Sequence, residues 1–409
     1  MPKTRSHHLH LPHITYDDSK NMKLLYAIRV TRDLVNKMAM FFLPIFLFQV
    51  GSKTNFLSFL PFSDFQRGML TISLYYVTYG TVGLAIGIYT GKMLGKIGYQ
   101  RSFVLSLMLR TLMFATLYLS KANPMYLLVS AIIDGVNSQF FWAGYYSLLS
   151  QTARKGNMGK DLSLIQFLLQ LVAVISPAIS GVIAYLIGFE YLFLIGIAIN
   201  LLSSVFALMM DAKVHKNNVS FANFRIWIKD KEFLQLGIAN SGRNINDSVI
   251  YLWSLYIFFL LGSVDRVGYL YTFSLFLAMV FTFFIGKYID HHKNKKPFYL
   301  SGGFISFLWL ARTQVFDVWS IALVDIFDRL ATNVYSLFFD SMFMKRGKGH
   351  LSDEYFVYLE MIASFNRIIF WSLFGAFFLF FSSWNSIFVF AGVAVLVGLL
   401  ISEKKPDYV

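Results

Sequence analysis

Twelve long apolar stretches divide the chain, and they constrain its fold more than any other feature of the sequence. Each is about 20 residues or longer, the length that an α-helix needs to cross a bilayer. Backbone polar groups in hydrocarbon must be paired within their own segment, so runs of this length predict helices rather than strands. The composition agrees, with 56% hydrophobic and only 14% charged residues. The predicted spans are 24–50, 67–91, 101–120, 124–149, 162–187, 189–210, 233–261, 267–289, 297–315, 318–344, 355–381 and 384–402.

Lysine and arginine are distributed unevenly between the segments that join these spans. Roughly two dozen lie in one alternate set of segments and about four in the other, which is a strong positive-inside bias. The sparse set is Lys53, Arg67, Lys121 and Arg266. Both termini are therefore predicted to be cytoplasmic, as tails of residues 1–23 and 403–409. Because topology explains the net charge of +14, we expect a lipid bilayer and no nucleic acid as partner.

The sequence lacks the usual signatures of enzymes and cofactor sites. The chain has no cysteine, so it forms no disulfide and no cysteine-ligated metal site. No Walker-type nucleotide loop and no nucleophile elbow is present, so we expect neither an enzyme nor ATP-driven transport, and no cofactor. The start of the chain, MPKTRSHHLHLPH, lacks the apolar core of a signal peptide. Its histidines could bind a metal, although a flexible exposed tail is the simpler interpretation.

The two halves of the chain repeat each other. Residues 32–51 align with 243–262 and pair Arg32 with Arg243, and further along Asp134 aligns with Asp328. Parallel repeats of six helices are typical of secondary transporters whose two bundles rock about a central site. The sequence thus predicts a first bundle at 24–210, a polar cytoplasmic linker at 211–231 and a second bundle at 232–402.

A short motif follows the second span of each half. The first copy is GKMLGKIGYQR at 91–101 and the second is GKYIDHHKNKK at 286–296. The pattern resembles the signature that transporters of the major facilitator superfamily carry between the second and third helices of each half. The matching residues are Gly91, Gly98 and Arg101, with Gly286 and Asp290 in the second copy. Gly95 stands where the family has an aspartate, so the first copy lacks the acidic member of a charge-based latch.

The resemblance implies a twelve-helix membrane protein built from two six-helix bundles that are related by a pseudo-two-fold axis. It further implies a secondary active transporter that moves a small-molecule substrate by alternating access, with the first, fourth, seventh and tenth helices around a central cavity. A monomer is sufficient for this mechanism. The compact loops suggest a bacterial cytoplasmic membrane.

Basic residues also lie inside the predicted spans. A charge near the bilayer centre costs at least about 2.5–3.5 kcal/mol, so each must face a cavity or a partner. They are Arg29, Arg32, Lys37, Arg110, Arg243, Arg312, Arg329 and Arg367. On the helices that the resemblance places around the cavity, the candidate substrate-binding and ion-binding residues are Arg32, Asp33, Asp134, Trp142, Arg243, Asp247, Asp325, Asp328 and Arg329.

Two roles are open for the repeat-related carboxylates. Asp134 and Asp328 lie about 15 Å into their helices, where burial favours the protonated form and makes each a candidate proton carrier. Alternatively, Asp134 pairs with Arg32 or Lys37, and Asp328 with Arg243 or Arg329, to hold the bundles together. Glu360 and Arg367 on the eleventh helix similarly form a buried pair or a gate.

Three functions are consistent with these residues. The first is proton-coupled transport, with export of an amphipathic or drug-like compound slightly favoured. The second is an organic anion or organophosphate exchanger, in which Arg32 and Arg243 hold the anion between them. The third is a non-transporting membrane scaffold or sensor, which would have no need for charges at the bilayer midplane.

Overall fold

The computed structural model describes residues 20–152, 158–211, 217–289, 295–347, 351–381 and 383–401, apart from the side chains of 151–152, 158–163 and 282–289. These ranges contain helices and turns and no strand, which confirms the predicted all-α class. Twelve membrane helices can be followed. In the first half they are α1 Lys20–Lys53, α2 64–97, α3 99–119, α4 Tyr126–Thr152, α5 Met158–Leu186 and α6 Phe189–Leu208. In the second half they are α7 Lys231–Leu261, α8 Val264–Ile289, α9 Lys296–Ala311, α10 Val318–Arg346, α11 Ser352–Phe380 and α12 Trp384–Gly398.

Length and hydropathy agree with a membrane protein. Seven helical segments of the described chain are long and apolar enough to cross a membrane. One of them, Asp64–Leu119, contains both α2 and α3. The two are joined at Gly98, whose φ of 79° and ψ of 170° interrupt the helix in a conformation that side-chain-bearing residues rarely adopt.

Helix α1 changes type along its length. It is α-helical over Lys20–Val35, π-helical over Asn36–Met40 and α-helical again over Leu43–Lys53. Pro44 lies in the first turn of the last segment, where its missing N–H leaves no hydrogen bond unmade. A π-helical turn inserts an extra residue into the helix and is often found at functional sites. The bulge here is next to the cavity described below.

Helix α1 also begins earlier than predicted. The segment 1–23 was expected to be a tail, yet the helix starts at Lys20, and residues 1–19 lie outside the described ranges. Asn21 stabilises the start, because its side chain donates to the carbonyl of Asp211 (2.7 Å) and accepts from the Asp211 amide (2.9 Å). This ties the beginning of α1 to the end of α6.

The linker between the halves contains a short helix at Phe221–Lys229. Ser220 caps it by accepting a hydrogen bond from the Asn223 amide (3.1 Å), and Trp227 buries its ring. In the same way Asp317 caps α10. The hydrogen bonds from the Ser320 side chain and backbone lower the pKa of the Asp317 carboxyl.

Small residues bring the two halves into close contact along two lines. On one side α2 packs on α11, where a Cβ added to Gly83 would lie 2.9 Å from the Ser364 hydroxyl. On the other side α5 packs on α8, where a Cβ added to Gly181 would lie 3.0 Å from the Val264 carbonyl oxygen. Because larger side chains would separate the halves, these residues set the width of the space between them.

Candidate functional site

A cavity of about 420 Å³ lies between the two halves. Its lining is unusually charged for the interior of a membrane protein. Seven basic side chains line it, namely Arg29, Arg32, Lys37, Arg110, Arg243, Arg329 and Arg367. Only four acidic side chains do so, namely Asp33, Asp134, Asp247 and Glu360. Basic groups are therefore in excess at the centre of the molecule.

Arg32 lies at the first-half wall of the cavity with almost no solvent contact. Its guanidinium carbon is 3.7 Å from the centre of the Phe141 ring, a cation–π distance. One nitrogen donates to Asn137 Oδ1 (3.4 Å), and that oxygen also accepts from the Ser106 hydroxyl (2.8 Å). The other side of the Asn137 amide donates to Asp134 Oδ1 (3.0 Å). Asn137 thus orients both an arginine and an aspartate.

The π-helical bulge of α1 places two further groups beside Arg32. Asn36 and Lys37 lie on the bulge and line the cavity. Arg110, on α3, donates to the Asn36 side chain. The Nε atoms of Arg32 and Arg110 are both buried without a hydrogen-bond partner among the described residues. These two N–H groups are hydrogen-bond donors that the described protein groups leave unused.

Arg243 is held at the second-half wall by two carboxylates. It contacts Asp340 on α10 directly, and its Nε lies 3.9 Å from Asp247. Gln166 on α5 donates to the other oxygen of Asp340 (3.2 Å), so the network crosses from one half to the other. Asp340 is not among the predicted site residues. From the sequence alone it resembles any acidic residue near the end of a helix.

Two other cations of the lining are paired, and four are not. Arg29 lies 3.3 Å from Asp33, and Arg367 lies 3.8 Å from Glu360, so the pair expected on α11 does form. Within the part of the chain that the structure describes, no carboxylate lies within ion-pair distance of the remaining four, which are Arg32, Lys37, Arg110 and Arg329.

Asp325 and Asp328 lie elsewhere, which corrects their expected placement at the cavity. Both are fully buried and absent from its lining. They face Arg312 at the end of α9, at 3.6 Å from Asp325 and 3.2 Å from Asp328. The expected pairing of Asp328 with Arg243 or Arg329 therefore does not form. The physical reason is that the face of α10 bearing these carboxylates packs towards α9, while the neighbouring Arg329 lies on the face that lines the cavity.

The other candidate site residues lie at the cavity. Asp134, Trp142 and Asp247 line it together with Arg32, Asp33, Arg243 and Arg329. Asp134 does not form the expected ion pair with Arg32 or Lys37, because Asn137 lies in hydrogen-bonding position between the two groups. Arg110 also lines the cavity. The sequence predicts it to be an intramembrane charge but not a site residue, since α3 is not among the helices that the resemblance places around a cavity.

The motif residues lie at the end of the bundle that carries the linker, called the linker end below. Gly91 and Gly98 are buried in α2 and at its junction with α3, and Arg101 is exposed. Gly286 lies in α8. Asp290 lies outside the described residues, so the second copy of the predicted latch stays a prediction.

The two halves contact each other on both sides of the cavity. At the linker end the hydroxyls of Ser150 and Ser352 are 2.7 Å apart, and Tyr99 donates to Asp353 (2.6 Å). At the opposite end, called the far end, Gln66 donates to the Leu379 carbonyl (2.9 Å) and the Phe48 ring packs on Phe259. The cavity thus lies between two sets of contacts that join the halves.

Together with the resemblance to transporters, this arrangement predicts that a disulfide at the linker end stops transport. Because the chain has no cysteine, Ser150→Cys and Ser352→Cys can be introduced as the only pair. We expect oxidation to abolish uptake into proteoliposomes and reduction to restore it, since the closed linker end cannot open while cross-linked. Each single variant serves as control. Full activity of the oxidised, cross-linked protein would show that this contact does not open during transport.

Comparison with known proteins decides the family. The sequence model described as Major Facilitator Superfamily matches residues 33–265, more than half of the chain. The chain belongs to the major facilitator superfamily. It is therefore an integral, multi-pass membrane protein with the two-bundle, twelve-helix fold, and a secondary transporter. No curated protein sequence matches it.

Solved structures of the superfamily share its fold at low sequence identity. The human organic anion transporter MFSD10 (TETRAN) aligns with a TM-score of 0.69 and 12% identity, over 94% of this chain and 99% of that one. The Escherichia coli fucose:proton symporter FucP aligns with a TM-score of 0.63 and 13% identity, over 93% and 97%. A D-xylose–proton symporter aligns with a TM-score of 0.65 and 14% identity, over 95% and 97%. The structural alignments show that the fold is shared, and identities this low show nothing beyond the fold.

Proposed function

We propose that this transporter carries a small organic anion, bound in the central cavity by its unpaired cations. The observation that carries the proposal is the set Arg32, Lys37, Arg110 and Arg329, which line the cavity with no carboxylate at ion-pair distance among the described residues. Holding several uncompensated charges at the bilayer centre is costly. An anionic substrate would offset that cost, whereas a neutral or cationic one would leave it or increase it.

Unsatisfied hydrogen-bond donors support the same proposal. In the first half these are the Nε groups of Arg32 and Arg110. In the second half they are Arg329 Nε and the Thr332 hydroxyl, which line the cavity and have no hydrogen-bond partner among the described residues. Buried donors are normally paired, so a cavity with donors on both walls fits a ligand rich in acceptor oxygens. A carboxylate or phosphate group is such a ligand.

The rest of the lining favours a substrate with an aromatic or apolar body. Tyr76 and Trp142 from the first half and Tyr251 from the second half line the cavity and are only partly buried. Faces of aromatic rings accept planar apolar groups. The volume of about 420 Å³ is within the range of about 300–1,000 Å³ that holds small-molecule ligands. We therefore expect an aromatic carboxylate or a similar anion.

The proposal changes the role expected for Arg243. An exchanger that grips the anion between Arg32 and Arg243 requires both to be free, yet Arg243 is engaged by Asp340 and Asp247. Arg110 and Arg329 take its place in the proposed site. The description of one structural relative as a human organic anion transporter agrees with this substrate class, although the charge of this cavity is what supports it.

We further propose that protons couple to transport through Asp134. This carboxylate lines the cavity and accepts a hydrogen bond from Asn137, whose side-chain oxygen accepts one from Arg32. An anion bound at Arg32 would therefore lie in the same hydrogen-bond network as Asp134, which makes this carboxylate the candidate to carry a proton together with the substrate. Two structural relatives are described as proton symporters. The lysines and arginines at the linker end support a cytoplasmic orientation for that end, and the compact loops favour a bacterial inner membrane.

The coupling proposal predicts a specific loss in Asp134→Asn. We expect uptake of the anion to be accelerated by an imposed pH gradient in the parent protein and to be indifferent to it in the variant, while binding persists. The measurement is uptake into proteoliposomes with and without the gradient. Asp64→Asn, whose side chain is exposed at the far end, is the matched control. Unchanged gradient dependence in Asp134→Asn would assign the proton elsewhere.

The substrate class itself is tested by uptake from a panel of matched compounds. Each aromatic carboxylate is paired with its carboxamide, which has the same shape but no charge, and with an amine of similar size. We expect accumulation of members of the carboxylate set only. Uptake of amines or carboxamides with no carboxylate taken up would favour a drug-like or neutral substrate instead.

A further inference from the structure

The linker contacts both halves of the transporter at the linker end. Asn217 lies between them, since its side-chain nitrogen donates to the Gly91 carbonyl on α2 (3.0 Å) and lies 3.4 Å from Asp353 on α11. The Asn218 amide donates to Glu354 (2.9 Å). The segment 217–220 thus forms hydrogen bonds with α2 in the first half and with the first turn of α11 in the second.

Two glycines of the first-half motif make room for this segment. A Cβ added to Gly91 would lie 2.7 Å from Val219, and one added to Gly95 would lie 2.9 Å from the Asn217 side chain. Val219 is buried at 2% exposure. Either distance is shorter than real Cβ contacts allow, so a side chain at position 91 or 95 would have to displace Val219 or the end of the Asn217 side chain. The Asn217 side chain thus packs directly on the position where the family motif has an aspartate.

A carboxylate at position 95 would also be unfavourable on electrostatic grounds. Asp353 and Glu354 are both nearly buried beside the linker. Their hydrogen-bond donors are Tyr99, the Asn217 side chain and the Asn218 amide. A third acid there would repel both. At this contact the two carboxylates are therefore bound by amide and hydroxyl groups rather than by charged side chains.

The attachment continues beyond Asn218. The Ser220 amide donates to the Tyr358 hydroxyl (3.1 Å), and that hydroxyl donates back to the Ser220 carbonyl (3.1 Å). The segment is consequently bound to α11 through Asn217, Asn218 and Ser220, and it contacts α2 through Asn217 and Val219. Opening at the linker end must separate α2 from α11 and so must break the contacts of these two residues.

We propose that Asn217 and Val219 are gating residues, which hold the linker end closed in place of the missing aspartate of the motif. The inference rests on the proposed alternating-access transport but not on the identity of the substrate. Removing either side chain is expected to favour the state open at the linker end. At the same time it disfavours the state open at the far end, because a rocking transporter opens only one end at a time.

The test uses single cysteines as probes, because the chain has none of its own. Ser150→Cys reports opening at the linker end. Ser73→Cys reports separation of α2 from α11 in the part of their contact nearer the far end, where Ser73 donates to the Trp371 carbonyl (2.7 Å). The rate of labelling by a maleimide is measured in purified full-length protein, first alone and then with Asn217→Ala or Val219→Ala. Asn218→Ala is the matched control, since the Asn218 side chain is exposed and it is the backbone amide that binds Glu354.

We expect Asn217→Ala to speed labelling of the linker-end probe by about tenfold, the effect of losing one or two hydrogen bonds. Labelling at Ser73→Cys should slow or stay unchanged, and Asn218→Ala should match the parent. General loosening would instead speed labelling at both probes. That result, or unchanged labelling at the linker end, would overturn the proposal. If Asn217→Ala does not fold, Gly95→Ser, which displaces Asn217 from the other side, must give the same shift. No substrate is added, so the result is independent of the proposed anion.

Discussion

Replacing Arg312 with leucine is expected to destabilise the protein more than any other single substitution of a charged residue. The guanidinium is fully buried between the rings of Trp309, at 3.9 Å, and Trp253, at 5.0 Å. It faces two carboxylates, Asp325 and Asp328, which are equally buried. Removing one partner from a buried ionic group costs about 3–5 kcal/mol, because the remaining charges stay uncompensated.

The structure also predicts a rescue for this variant. Asp325→Asn and Asp328→Asn remove the stranded charges, and an amide oxygen at position 325 can still accept the hydrogen bond that Trp253 now donates to Asp325 (2.8 Å). The triple variant should therefore recover most of the melting temperature lost in Arg312→Leu. Thermal unfolding in detergent provides the measurement. Arg266→Leu, at an exposed position, is the control and should melt like the parent. A parent-like melting temperature for Arg312→Leu would show that the cluster contributes little to stability.

Replacing Arg32 with glutamine is expected to abolish transport while leaving the fold intact. Arg32 and Arg110 are the most enclosed of the unpaired cations, and Arg32 donates from one nitrogen to Asn137 while its Nε has no partner among the described residues. Its hydrogen bonds to an anion would be charge-assisted, and such bonds contribute about 1.5–3 kcal/mol each. One to two of them correspond to a loss of affinity on the order of 100-fold.

Companion variants separate the possible roles of the arginines. Arg32→Lys should retain part of the affinity, because lysine keeps the charge but not the paired donors of the guanidinium. Arg110→Gln should resemble Arg32→Gln. Arg243→Gln should chiefly lower stability, since it strands Asp340 and Asp247. The measurements are uptake and melting temperature for each variant. Normal uptake in Arg32→Gln together with loss in Arg243→Gln alone would reject the proposed site.

The sequence was sufficient to predict the architecture, for reasons that lie in the bilayer. An apolar run of about 20 residues has essentially one folded form in hydrocarbon, so helix number and approximate position follow from hydropathy. The break between α2 and α3 at Gly98 also falls where the sequence leaves it, between the predicted spans 67–91 and 101–120. The π-helical bulge at 36–40 was not predicted, since inserting one residue into a helical turn does not change the hydropathy of the segment.

The partners of the buried charges could not be predicted. The depth of a charged residue in the membrane follows from counting residues along its helix. The direction in which its side chain points depends on how the helix is rotated in the bundle. Asp328 and Arg329 are adjacent in sequence, yet one faces Arg312 and the other lines the cavity. Likewise, Gly95 departs from the family pattern in sequence, and the packing of the Asn217 side chain on this position is seen only in the structure.

The central claim is that the unpaired cations of the cavity bind an anion, and a binding cycle tests it most directly. Affinity is measured by titration calorimetry for an aromatic carboxylate and its carboxamide, on the parent protein and on Arg32→Gln. We predict that the parent prefers the carboxylate by at least about tenfold, the effect of one charge-assisted bond, and that Arg32→Gln loses this preference. Equal affinity of the parent for the two compounds, or a preference that survives in Arg32→Gln, would contradict the claim.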